Sequence, residues 1–179
     1  MRKQESLLLI TGIILLLLSF SIDLSVLTFF DTIQTPILTF FFTLISFLGN
    51  FLSVSIFLVL LFAIKSRKNL PIAALTLLFS AAITYLLKLL IGWQRPSTDE
   101  FDAFPSGHSA AVFTAYPLLS RFFPHIKWIW LGFSLLVITS RLYLSKHYLS
   151  DVLAGALLGY TLSRLSLRFL TKKSPTQHL

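Results

Sequence analysis

Long apolar runs separated by short polar or basic stretches set the plan of this chain. Ser6–Leu27 is the first, with Asp23 near its end. Phe51–Ile64, Pro71–Ile91, Ser106–Ser120, Trp128–Leu144 and Tyr148–Leu170 follow. Runs of about 18 or more apolar residues are the signal of a membrane-spanning helix. Thr28–Phe47 differs from these, because Asp31, Gln34 and Pro36 interrupt its Phe and Leu residues. It reads as an amphipathic segment lying at the outer interface. Gly49 and Asn50 break the chain after it. Pro117 predicts a kink in the fourth run. Gly155 and Gly159 give the last run the small-xxx-small spacing that favours close helix contact. The predicted fold is all-α. It is an integral membrane bundle of six transmembrane helices with an interfacial amphipathic segment after the first span, in one domain over residues 1–179. A signal peptide is the competing reading of the first run. With no small-residue cleavage site after it, the run reads as a retained span.

Composition agrees with this plan. Of the 179 residues, 55% are hydrophobic and 12% charged, whereas soluble domains are charged at about a quarter of their positions. The formal net charge of +8 would hint at nucleic acid in a soluble protein. Here the basic residues gather in Met1–Glu5, Lys65–Lys68, Arg121–Lys127 and a tail with Lys172 and Lys173. The positive-inside rule places these stretches in the cytoplasm. The expected location is the cytoplasmic (inner) membrane, with both termini cytoplasmic. No nucleic-acid partner is expected. The connector Gly92–Pro105 and the stretch 141–147 then meet on the periplasmic or exterior face. With no cysteine in the chain, disulfides, thiol nucleophiles and cysteine metal sites are excluded.

Three clusters reach that outer face. Lys88 and Arg95 are seven residues apart, about two helical turns if the helix continues. The plain alternative for Lys88 is snorkelling to the interface. Pro105-Ser106-Gly107-His108 stands where an apolar run begins, and a helix start offers unpaired amides and a partial positive charge to an anion. Gly107 would let that anion approach the backbone. The alternative is a capping turn with an incidental histidine. In the third cluster His147 and Asp151 are four apart, with Arg141 nearby. On a helix they would share a face, and the carboxylate would fix the imidazole tautomer and leave the other nitrogen free to attack. The alternative is a structural pair at the membrane border. Asp99, Glu100 and Asp102 could neutralise the cations of the whole set. No cluster of carboxylates or His/Cys suited to a metal is present. Cations with two histidines point to phosphoryl transfer through a histidine.

The chain resembles the type-2 phosphatidic acid phosphatase family of membrane lipid phosphatases. The family motifs Lys-x6-Arg-Pro, Pro-Ser-Gly-His and Ser-Arg-x5-His-x3-Asp occur in order as KLLIGWQRP at Lys88–Pro96, PSGH at Pro105–His108 and SRLYLSKHYLSD at Ser140–Asp151. They fill a motif core over residues 88–151. The resemblance implies that His147 is the nucleophile that forms a phosphohistidine and that Asp151 orients it. It implies that His108 gives a proton to the leaving group, and that Lys88, Arg95, Ser106, the Gly107 amide and Arg141 hold the phosphoryl group. It implies no metal and no cofactor. The expected partners are membrane lipids and a lipid phosphate or diphosphate substrate. Candidates are undecaprenyl diphosphate, phosphatidylglycerophosphate, phosphatidic acid and lipid A 1-phosphate. A phosphotransferase using the same site stays open, as do a phosphate or lipid transporter without chemistry and a small membrane scaffold. His125 and His178 read as non-catalytic, and Trp93, Trp128 and Trp130 as interface anchors.

Overall fold

The computed structural model describes residues 3–172, and the side chains of residues 7–170. Met1, Arg2, Lys173 and His178 lie outside the described residues. The described residues form α1 (Lys3–Ser19), α2 (Asp23–Thr32), α3 (Pro36–Leu48), α4 (Phe51–Lys65), α5 (Leu70–Ile91), α6 (Gly107–Phe122), α7 (Lys127–Tyr143) and α8 (Leu149–Lys172), with no strand among them. Short 3-10 turns at Arg67–Asn69 and Pro124–Ile126 lead into α5 and α7.

From Phe51 onward each predicted run is one helix with a local start or stop signal. The Asn50 side chain accepts the Ser53 amide at 2.8 Å and starts α4. Gly92 ends α5 in the left-handed conformation, φ +56°, where a Cβ would be strained. α6 continues through Pro117 to Phe122.

The first half differs from expectation. Ser6–Leu27 is not one helix, because α1 stops at Ser19 and α2 leaves it at 74°. Ser19 and Ser21 donate their hydroxyls to the carbonyls of Leu16 and Leu18, both at 2.7 Å, which satisfies carbonyls at the end of α1. The expected amphipathic segment Thr28–Phe47 is also divided. Thr35 caps α3, with Pro36 in its first turn, and α3 meets α4 at a bend of 53°.

Among the described residues, by length and composition, Arg67–Ile91 alone is able to cross a bilayer, and the two bent pairs would raise the count to three. Six separate spans do not follow from these criteria. α6 and α7 have 16 and 17 residues, short of the roughly 20 that a bilayer core requires. Leu, Ile and Phe side chains stand exposed on α1, α3, α4 and α5, a surface suited to lipid rather than water.

α6 is central and packs against α4, α5, α7 and α8. Val54, Leu58 and Phe62 of α4 join Leu77, Val112, Leu118 and Val137 in the buried core. Trp130 belongs to this core and is not an interface anchor. It is 8% exposed, and its indole donates to the Val112 carbonyl at 2.8 Å. Trp128 remains exposed.

The tightest seam joins α6 to α8. A Cβ on Gly155 would collide with the Ser106 carbonyl oxygen, and one on Gly159 with that of Ala110. Backbone cannot yield as a flexible side chain would. Gly155→Val is therefore expected to lower the melting temperature in detergent, at an overpacking cost of about 1–3 kcal/mol. Gly132→Ala is the control, since nothing lies within 4 Å of that position. Equal melting temperatures for the two variants would show that the seam is loose.

Candidate active site

The site starts where α5 stops. Lys88 is in the last turn of α5, and the Gly92 amide closes that turn on the Lys88 carbonyl at 3.1 Å. The helix does not continue to Arg95, so two helical turns are not what aligns the two cations. The connector folds back on itself instead, with Arg95 N–H on the Glu100 carbonyl and Ala103 N–H on the Trp93 carbonyl, both at 2.9 Å. This brings Asp102 onto both cations. Arg95 donates from Nε to Oδ1 at 2.6 Å and from a terminal nitrogen to Oδ2 at 3.0 Å. Lys88 Nζ lies 3.5 Å from Oδ2 and donates to the Asp102 carbonyl. Arg95 holds the Asp102 carboxyl down to about pKa 2, and the same bond raises the proton affinity of Arg95.

The second cluster sits directly below. Ser106 is the residue before α6, and its amide donates to the Asp151 carbonyl at 3.0 Å. Its hydroxyl is fully buried, caps nothing and has no hydrogen-bond partner. A Cβ on Gly107 would lie 3.8 Å from Lys88 Cε. These contacts tie the end of α5, the start of α6 and the start of α8 together.

The third cluster completes the floor. No single helix covers His147 and Asp151, so the shared helix face considered from their spacing is not what pairs them. His147 lies in the turn before α8, and Asp151 stands in the first turn of that helix. They are 1% and 0% exposed. His147 Nδ1 is 3.3 Å from Asp151 Oδ2, which also accepts the Tyr148 amide at 2.8 Å. An ionised carboxylate only accepts, so with Asp151 ionised this contact calls for the proton on Nδ1 and leaves the lone pair on Nε2. Burial, with the charges of Arg141, Arg95 and Lys88, pushes the proton affinity of His147 well below the ordinary imidazole value. Arg141 is 7% exposed and donates to Ser46 Oγ at 2.5 Å, while its Nε has no hydrogen-bond partner. Lys88, Arg95 and Arg141 all interact electrostatically with both His108 and His147. The eight residues singled out from the three motifs thus converge on one place.

Further residues that hold the His147 turn were not singled out in the sequence. The Asp23 carboxylate accepts the Ser150 amide at 2.9 Å and its hydroxyl at 2.6 Å. Asp31 accepts the Ser145 hydroxyl at 2.6 Å, and Gln34 donates to the Tyr143 carbonyl at 2.9 Å. Ser145 is left-handed, φ +49°, a conformation that costs a non-glycine residue energy and needs such support. Polar residues inside an apolar stretch were the available signal, since such groups are costly unless used.

Comparison with known proteins bears on the fold and the family. The chain is 29% identical over 106 residues to a lipid A 1-phosphatase of Rhizobium johnstonii, a match covering 51% of this chain and 43% of that protein. The chain thus spans less than half the length of that relative. It superposes on the crystal structure of Aquifex aeolicus LpxE with a TM-score of 0.75 and 26% identity, covering 82% of this chain and 95% of the other. A Bacillus subtilis transmembrane PAP2-type phosphatidylglycerolphosphate phosphatase shares the fold at a TM-score of 0.71 and 23% identity, covering 94% and 98% of the two chains. Residues 69–175, which hold all three motifs and the helices that carry them, match the PAP2 superfamily, and the chain belongs to that superfamily.

Proposed function

We propose that this protein is a membrane phosphatase that hydrolyses a lipid phosphate or diphosphate through a phosphohistidine, without a metal. The observation that carries the reading is a buried imidazole, that of His147, backed by the Asp151 carboxylate at 3.3 Å in a site that also holds Lys88, Arg95 and Arg141. His147 Nε2 attacks the phosphorus in line, and the bond from phosphorus to the leaving oxygen breaks. His108 gives that oxygen its proton, a step typically worth about 10²–10⁴-fold. Asp151 stabilises the positive charge that grows on His147. Lys88, Arg95, Arg141, Ser106 and the Gly107 amide hold the non-bridging oxygens. His108 then takes a proton from water, which displaces His147 and releases phosphate. Among the described residues no three His, Asp or Glu side chains cluster as metal ligands would.

A lipid substrate is supported by a cleft of about 150 Å³ that runs from Lys88 and Gly107 past Ala81, Thr84 and Ala110 to Phe51. It lies between α4, α5 and α6, so an acyl chain can enter sideways from the bilayer while its headgroup reaches the cations. The basic loops set the chain direction, and by the positive-inside rule we place the site on the outer face of the cytoplasmic membrane.

The test is phosphate release from a panel of purified lipid phosphates and diphosphates, with and without a chelator. Full activity is expected in excess chelator. Activity that is lost and then restored by one added metal would refute the metal-free route. Transfer of the phosphoryl group to an added alcohol in place of water would identify a phosphotransferase.

A further inference from the structure

Asp102 makes the contacts that a phosphoryl group needs. Its two oxygens meet the Arg95 fork at 2.6 and 3.0 Å, and one of them lies 3.5 Å from Lys88 Nζ. Two oxygens on a guanidinium fork are also how arginine holds phosphate. The cations are mostly buried, with side chains 14% and 17% exposed, whereas that of Asp102 is 45% exposed. The carboxylate therefore has water to swing into and the cations do not. Given the phosphatase reading above, we propose that Asp102 is a built-in competitor for Lys88 and Arg95. A substrate headgroup must displace it, and this reserves the site for headgroups more highly charged than a carboxylate.

The physical ground is exchange of one anion for another. A phosphodiester headgroup carries a single negative charge, so it gains little by replacing a carboxylate already bound to the same cations. A phosphate monoester or diphosphate carries more charge and wins the exchange. The site is thereby protected from the phosphodiester lipids of the surrounding bilayer. A ligand that binds only the open form has its affinity reduced by the fraction of open sites.

The experiment measures orthovanadate binding by calorimetry on the full chain in detergent, which reads the site whether or not the protein turns over. Asp102→Asn and Asp102→Ala are expected to tighten binding about 2- to 5-fold, the size of a partly exposed ion pair. Adding phosphatidylglycerol to the micelles should weaken vanadate binding to both variants and leave the natural protein unaffected. If Asp102 instead only holds Lys88 and Arg95 in place, both variants bind vanadate more weakly, and the proposal fails. It also fails if Asp99→Asn, on the same connector, tightens binding equally, since the effect is then general electrostatics. Equal competition by phosphatidylglycerol in all forms would overturn the selectivity. Failure of the phosphatase reading would show separately, as absent phosphate release by a natural protein that still binds vanadate.

Discussion

Replacing His147 with alanine is expected to reduce phosphate release by about 10⁴-fold or more, the scale seen when a nucleophile is removed. The reason is the absence of a substitute. Water could enter the space, but it would lack the polarisation that Asp151 gives a ring bonded at Nδ1. The fold is expected to persist. Asp151 would keep the Tyr148 amide at 2.8 Å, and the turn would keep its ties to Asp23 and Asp31. Two measurements check this. Turnover of a lipid phosphate should vanish, and brief exposure to labelled substrate should leave an acid-labile, alkali-stable phosphoprotein with the natural chain only. A variant that still turns over at the natural rate would place the nucleophile elsewhere. A natural chain that is active but never labelled would argue for direct attack by water.

The second half of the chain was legible because its signals are local. Asn50 and Gly92 mark helix boundaries by side-chain chemistry or backbone freedom, and the predicted runs from Phe51 onward match α4 to α8 closely. The three motifs likewise mark their residues without reference to distant parts. What was not legible depends on partners far along the chain. The break at residues 20–22 makes sense once Asp23 is seen on Ser150, 127 positions away. Asp31 and Gln34 looked like interruptions of an amphipathic segment, yet they brace Ser145 and Tyr143. Hydropathy treats Trp130 as one more aromatic residue near a basic loop, while packing against α6 makes it core. The pairing of Lys88 and Arg95 was expected from helical spacing and arises from a folded connector. In each case a charge or ring in an apolar setting carried the information, and its partner could be found only in three dimensions.

Changing Asp151 to asparagine is expected to reduce turnover by about 10²–10³-fold, within the range of losing an acid–base or orienting partner. The substitution is nearly isosteric, and the residue is fully buried, so geometry and chemistry separate cleanly. The Tyr148 amide donates to Asp151 Oδ2 at 2.8 Å, so the amide oxygen of asparagine must take that place. Its NH₂ group then stands where Oδ1 was, which has no hydrogen-bond partner. The same oxygen faces His147 Nδ1, so the ring keeps an acceptor and its tautomer, but that acceptor is now neutral. The positive charge that develops on the ring meets an amide rather than a carboxylate. The expected signature is a fall in kcat with little change in KM, because the substitution leaves the proposed phosphate ligands Lys88, Arg95 and Arg141 in place. Slow accumulation of labelled phosphoprotein should accompany it. An Asp151→Asn protein with natural kcat would mean that His147 is oriented by the cations and the turn alone. A rise in KM at unchanged kcat would mean that the Asp151 side chain shapes the binding pocket through the Tyr148 amide it accepts at 2.8 Å and takes no part in catalysis.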